Sequence, residues 1–210
     1  MLRKSGILLW AMLPLVAFSQ SETLKLKNHH GGLFSLGMRT TVSTFNHGSW
    51  QGTSVGAGGQ FRLQVHDRIN MEFFADYLTS KIEKTGNRQD AHIGWSVMYY
   101  PLKDKTFKKF LKPYLVMGHC FDYTKVAENT NPDNSAERWS SAIQCGAGNH
   151  FNITERFDLT FVAQYMFHLG GHVEAHEAEG VFVIHDHGGL SLEGHLLFTL
   201  GINYKIADLW

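Results

Sequence analysis

After residue 30 apolar side chains recur at every second position, and they do so in eight successive segments. A period of two belongs to β-strands whose two faces meet different surroundings. In LFSLGMRTTVSTF, Phe34, Leu36, Met38, Thr40 and Val42 oppose Ser35, Gly37, Arg39, Thr41 and Ser43. Residues 54–66 set Val55, Ala57, Phe61, Leu63 and Val65 against Gly56, Gly58, Gln60, Arg62 and Gln64. INMEFFADYLTS, AHIGWSVMYY, PYLVMGHCFDY, WSSAIQCGAGNHF, FDLTFVAQYMFH and LSLEGHLLFTLGINYKI repeat the pattern, and no segment carries a helical period. Short connections (HDR, NITER) alternate with longer polar ones (NHGSWQGT, KIEKTGNRQD, TKVAENTNPDNSAER and the stretch around HLGGHVEAHEAEGVFVIHDHGG). The lysine-rich PLKDKTFKKF is an exception on the short side.

Alternation alone fits a soluble barrel with its apolar face inward as well as a membrane barrel with that face outward. Composition separates the two. Only 18% of residues are charged, and the polar face carries mainly Gly, Ser, Thr, Gln and Asn. A face exposed to water would carry Lys and Glu in number. Aromatic residues sit near both ends of the apolar face: Tyr77, Tyr123, Tyr165 and Phe167 at one, Tyr99, Phe151, Phe157 and Tyr204 at the other. Such pairs of girdles mark the two interfaces of a bilayer. The expected fold is therefore all-β, an eight-stranded antiparallel up-and-down transmembrane β-barrel with short periplasmic turns and longer outer loops.

The N-terminus reads as a secretory signal. Arg3 and Lys4 precede the apolar run GILLWAMLPLVAF, and AFSQ offers cleavage after Ser19. The expected organisation is a signal peptide at 1–19, a short segment at 20–30 and the barrel at 31–210. Lys+Arg and Asp+Glu are 19 each, so no net field favours nucleic acid. Outer-membrane lipid is the expected surrounding and a monomer the expected state.

The mature chain resembles the eight-stranded outer-membrane barrels of the OmpA and OmpX type, in the divergent form common in Bacteroidetes-like bacteria. The final strand carries the resemblance: in TLGINYKI, Thr199, Gly201, Tyr204 and Ile206 occupy the polar, glycine, aromatic and hydrophobic positions of the family's terminal insertion signal. The chain departs from it by continuing through ADLW to Trp210. The resemblance implies Sec-type export, recognition by the barrel-assembly machinery and residence in the outer membrane of a Gram-negative bacterium.

Eight strands enclose a lumen about wide enough for its own side chains. The inward positions hold Arg39, Arg62, Glu72, Asp76, Asp122, Asp158, Glu193 and Lys205. A network of Arg39 and Arg62 with Glu72, Asp76 and Glu193 is expected to plug the lumen, which argues against a passive porin. Alternation places Cys120 inward and Cys145 outward, so the two thiols are expected to stay unpaired.

The fourth long connection is rich in histidine. His172 and His176 would share one face of a helical turn, and His185 and His187 one face of a strand. Four imidazoles in this arrangement would suit Zn²⁺, Cu²⁺ or Ni²⁺, with Glu174, Glu177 and Asp186 nearby. Solvated surface histidine is the competing reading. A lipid A-modifying hydrolase is a further alternative, with His168 or His195, Ser191 and Glu193 as its pieces, although these point toward the lumen rather than the lipid. The preferred expectation has no catalytic residue and no cofactor. It is a barrel with a structural or surface-interaction role, whose outer loops meet an extracellular partner that the sequence does not name.

Overall fold

The computed structural model describes residues 31–47, 50–102, 109–178, 181–191 and 194–210; for 45–47, 50, 51, 172 and 186–191 it describes the backbone alone. Nine strands follow in chain order: β1 (Leu33–His47), β2 (Trp50–His66), β3 (Ile69–Ile82), β4 (Gly86–Tyr99), β5 (Leu111–Glu128), β6 (Ser135–Asn152), β7 (Phe157–Ala178), β8 (Val181–Ser191) and β9 (Gly194–Asp208). Consecutive strands from β1 to β7 pair antiparallel, β7 also pairs with β9, and β9 pairs with β1. The ring is thereby closed by eight strands, and β8 lies outside it as the partner of the upper half of β7. Closure leaves the wall no free edge, the requirement for backbone in hydrocarbon, where no water can satisfy an open N–H.

The wall is apolar outside and polar inside. Met38 is 76% exposed, Met117 63% and Leu200 62%, alongside Leu36, Phe61, Ile93, Trp95, Leu115, Phe121, Phe161 and Ile202. Buried residues instead include Arg39, Arg62, Glu72, Asp76, His92, Asp122, Gln144, Asp158 and Asn203. This is the reverse of a water-soluble protein, and a continuous apolar belt of this extent is stable only against an apolar solvent. Tyr77, Tyr99 and Tyr165 all lie exposed toward the ends of the belt.

Three apolar clusters interrupt the polar interior. Met98, Tyr100, Tyr114, Val116 and Val162 pack near the short-turn end, and Phe74, Cys120, Ala142, Met166 and Leu197 at mid-height. Ile82, Val126, Val173, Ala175 and Phe182 pack at the outer end. Both cysteines are free, Cys120 buried and Cys145 exposed. The β5–β6 ladder runs without a bulge, so opposite strand faces keep the two thiols apart.

Polar stretches expected as loops prove to be strand. β3 and β4 continue to Ile82 and Gly86, and β5 and β6 to Glu128 and Ser135. Above the lipid both faces of a strand meet water or neighbouring hairpins. The alternation fades there while the backbone ladder continues.

If the Met117 face lies in hydrocarbon, Met117→Arg should destabilise the barrel in phospholipid vesicles by about 2–4 kcal/mol. Thr130→Arg, in the β5–β6 turn, should change stability by less than about 0.5 kcal/mol. Urea unfolding followed by tryptophan fluorescence measures both; equal effects would place Met117 outside the bilayer.

Candidate functional site in the lumen and the outer hairpin

The lower lumen is organised around two arginines on adjacent strands. Register puts Arg39 of β1 beside Gly58 of β2 and Gly58 beside Asp76 of β3. A Cβ at Gly58 would collide with the Asp76 carboxylate, so the glycine leaves the gap across which arginine and aspartate meet. Arg39 Nε lies 3.1 Å from Asp76 Oδ1, and its Nη1 3.2 Å from Glu72 Oε1. The guanidinium also sits 4.5 Å above the Phe74 ring, a cation–π contact. Arg62, opposite Glu72 in the ladder, places Nη2 3.1 Å from Glu72 Oε2 and Nη1 3.4 Å from Asp158 Oδ1. Glu72 therefore joins both arginines, one to each oxygen.

Asp158 extends the group across the lumen. Asn203 Nδ2 donates to its Oδ1 at 3.0 Å, and Lys205 Nζ lies 3.8 Å from its Oδ2. Arg39, Arg62, Glu72 and Asp76 of the expected set are thus in mutual contact, whereas Glu193 lies outside the described residues. Asp158 and Lys205 were legible as inward positions but not as partners, because that pairing depends on which strands face each other across the ring.

A second cluster lies above the first. Asp122 of β5 takes His92 of β4 on one oxygen (Nε2 to Oδ1, 3.1 Å) and His168 of β7 on the other (Nδ1 to Oδ2, 3.1 Å). The remaining nitrogen of His168, Nε2, faces His195 Nδ1 of β9 at 3.4 Å, with ring centroids 4.8 Å apart. All four residues are buried. His92 lies on the polar face of AHIGWSVMYY, and that inward parity, shared with Asp122, is the only signal of it in the sequence. Ser140 Oγ approaches the cluster too, 3.4 Å from His168 Nδ1. A hydrolytic triad needs its nucleophile and its acid on opposite nitrogens of the histidine. Here Ser140 and Asp122 meet the same nitrogen, so this set cannot run that relay. Of the hydrolase pieces, His168 and His195 belong to this cluster, while the Ser191 side chain and Glu193 lie outside the described residues.

The histidine-rich segment is a strand hairpin, which corrects the expectation of a helical turn at His172 and His176. β7 passes the rim and pairs with β8 from Ala178↔Val181 down to Gly170↔Ser191, with a shift of register between Gly170 and His172. Gly170 has φ +147°, a backbone conformation that favours glycine. Below this point the even residues of β7, such as Gln164, Met166 and His168, are buried; above it the odd residues Val173 and Ala175 are. The bulge thus reverses the pleat. The apolar face turns onto Ile82, Val126 and Phe182, with Ala136 and Ile184 against it. Gly86 admits the Phe182 ring, which a Cβ there would strike. Thr85 Oγ1 donates to Glu177 Oε2 at 3.0 Å, and Asn134 Nδ2 to the Phe182 carbonyl at 3.2 Å, tying the hairpin to both neighbours.

Alternation sends Glu174, His176 and His185 to the opposite face. His176 and His185 stack with centroids 5.2 Å apart and planes 14° from parallel. Among the described residues no three histidine, cysteine or carboxylate side chains are grouped to hold a metal. The side chains of His172 and His187 are outside the described residues, and their backbone positions stand directly opposite each other.

Removing either arginine takes a cationic partner from two buried carboxylates and leaves the group with one negative charge in excess. Arg62→Ala and Arg39→Ala should each destabilise the barrel by about 3–5 kcal/mol, since breaking one partner of a buried pair leaves an uncompensated charge. Urea midpoints read by heat-modifiable gel migration test this; unchanged midpoints for both variants would mean the contacts do not support the fold.

A scan against protein-family models and a search of curated proteins give no match. Solved structures do match. Neisserial surface protein A superposes with a TM-score of 0.58 at 14% identity, covering 82% of this chain and 97% of that one. Outer membrane protein OprG of Pseudomonas aeruginosa gives 0.54 at 15%, covering 87% and 100%. Ail, the attachment invasion locus protein of Yersinia pestis, gives 0.52 at 13%, covering 83% and 99%. At such low identity the likeness concerns the fold, and it agrees with the closed ring and the apolar wall: the chain has the fold of the eight-stranded outer-membrane β-barrels.

Proposed function

We propose that the protein is an outer-membrane barrel with a filled lumen, whose ordered outer hairpins form an interaction surface, and that it is neither a passive porin nor an enzyme. The observation that carries this reading is the sequence of layers in the ring and above it. From the short-turn end upward these are the Arg62–Asp158–Lys205 group, the Arg39–Glu72–Asp76 group, the Asp122 histidines and the apolar cluster around Phe182. A solute crossing would have to break buried ion pairs and part an apolar plug, each costing several kcal/mol. The outer hairpins, by contrast, pack on one another through Ile82, Val126, Ala175 and Phe182. A pre-ordered surface loses little entropy on binding, which suits recognition.

The basic and apolar N-terminal run supports export, and the final strand supports handling by the assembly machinery. The extracellular partner is a further part of the proposal and is left unnamed.

Two measurements test the reading. Fractionation should recover the protein in the outer membrane, with migration that changes on boiling; a soluble periplasmic product would refute it. In planar lipid bilayers the refolded protein should give no stable conductance steps. Removing the cap with Phe182→Ala should leave it silent, because the ion groups below remain; steady ohmic channels in the wild type would show an open pore.

A further inference from the structure

The short-turn end of the lumen holds a cavity, about 350 Å³ with its mouth included, against the Arg62–Asp158–Lys205 group. Of the residues that line it, Arg62, Lys112 and Lys205 are cationic and Asp158 alone is acidic. All four are buried, so their field acts on this space with little screening. Gln64 of β2 and Asn70 of β3 stand opposite each other in the ladder and line the same cavity. They are 3% and 7% exposed, and neither the Gln64 Nε2 donor nor the Asn70 Oδ1 acceptor has a hydrogen-bond partner among the described residues. Buried polar groups are as a rule matched, so this donor and this acceptor call for a partner that the wall does not supply. The Asn70 side chain is held in place from behind. Its Nδ2 donates to the Tyr100 hydroxyl at 2.7 Å, which meets His150 Nε2 at 2.8 Å. His150 Nδ1 meets Thr160 Oγ1 at 2.7 Å, and Thr160 donates to Asp158 Oδ1 at 3.3 Å. A carboxylate only accepts, so the protons of this chain point toward Asp158 and the Asn70 carbonyl oxygen is left facing the cavity. Lys112 Nζ lies 4.3 Å above the Tyr100 ring, which fixes it on the same side.

We propose that this cavity is a binding site for a small oxyanion that still carries a hydroxyl, of the type of hydrogen phosphate. Arg62, Lys112 and Lys205 attract its charged oxygens, Gln64 Nε2 donates to one of them, and the P–OH group donates to Asn70 Oδ1. Sulfate has no proton to give at neutral pH and leaves that buried acceptor unmatched, which is costly. A metal cation is repelled by the three positive side chains. The interior has room for about two or three water-sized groups, which suits a tetrahedral anion with its last oxygen at the mouth and excludes a sugar or a nucleotide. The lining side chains point into the ring, so the wall separates them from lipid headgroups, and the ligand is the free anion. The inference goes beyond the proposed surface role and needs only the folded ring, so it stands or falls separately from that role.

The test uses the full mature chain refolded in detergent, with folding of each variant confirmed by heat-modifiable migration. Calorimetry with sodium phosphate at neutral pH and constant ionic strength should show one anion per chain, bound below about millimolar, and sulfate at least about tenfold weaker. Lys112→Met, which keeps an unbranched stem against the Tyr100 ring, and Gln64→Leu should each weaken phosphate binding by at least about tenfold. Asn70→Leu should weaken phosphate and bring sulfate level with it; if that variant does not fold, the preference of the wild type for phosphate over sulfate tests the same acceptor. Lys81→Met, at the outer end, should leave the affinity unchanged. Equal affinity of the wild type for the two anions, unchanged binding in both Lys112→Met and Gln64→Leu, or an equal loss in Lys81→Met would each overturn the proposal. So would the absence of phosphate binding below about 10 mM, which would leave water as the occupant.

Discussion

An apolar solvent around the wall leaves every backbone N–H and C=O to be satisfied within the protein. Closure of the ring through the β6–β7, β7–β9 and β9–β1 ladders meets that demand, and most of the remaining architecture follows from it. Once the apolar residues must face outward, the polar residues of the same strands have only the lumen to occupy. Eight strands make that lumen narrow, so charges there are stripped of water and have to find each other. Glu72 between Arg39 and Arg62, and Asp122 between His92 and His168, are two solutions to the same problem. In each, one carboxylate oxygen meets the residue opposite in the ladder, and the other reaches a strand with which its own shares no ladder.

The constraint ends at the outer rim, and the structure changes there. Above Gly170 the pleat of β7 reverses so that Val173 and Ala175 face inward. β3 and β5 reach the same arrangement without a bulge, by placing Ile82 and Val126 at inward positions that deeper in the wall are held by residues such as Asp76 and Asp122. Three hairpins thereby acquire a small apolar core of the ordinary soluble kind, set on a barrel of the inverted kind. Their histidine and carboxylate positions turn outward as a consequence of where the core lies.

The eight strands of the ring, their direction and the lipid-facing residues were readable from the sequence, because a period of two repeated eight times leaves few ways to satisfy both faces; the ninth strand, β8, was not. The same alternation assigned Arg39, Arg62, Glu72, Asp76, Asp122 and Asp158 to the interior and separated Cys120 from Cys145. Each of these is a local property: it depends on which face of its own strand a residue occupies, and the pleat decides that within a few residues.

Partnership across the lumen was decided only by the folded ring. Arg62 meets Asp158, and His168 meets both Asp122 and His195, over separations that no local pattern reports. The outer hairpins were misread as loops for a related reason. Above the lipid the alternation that marks a strand is no longer imposed by two contrasting solvents, while the ladder and the packing of Phe182 against Gly86 hold the backbone extended. The sequence by itself determined which side of the wall each residue faces, because that follows from the pleat. The closure of the ring decided which residues meet, because strand shear and register bring distant segments to the same height in the lumen.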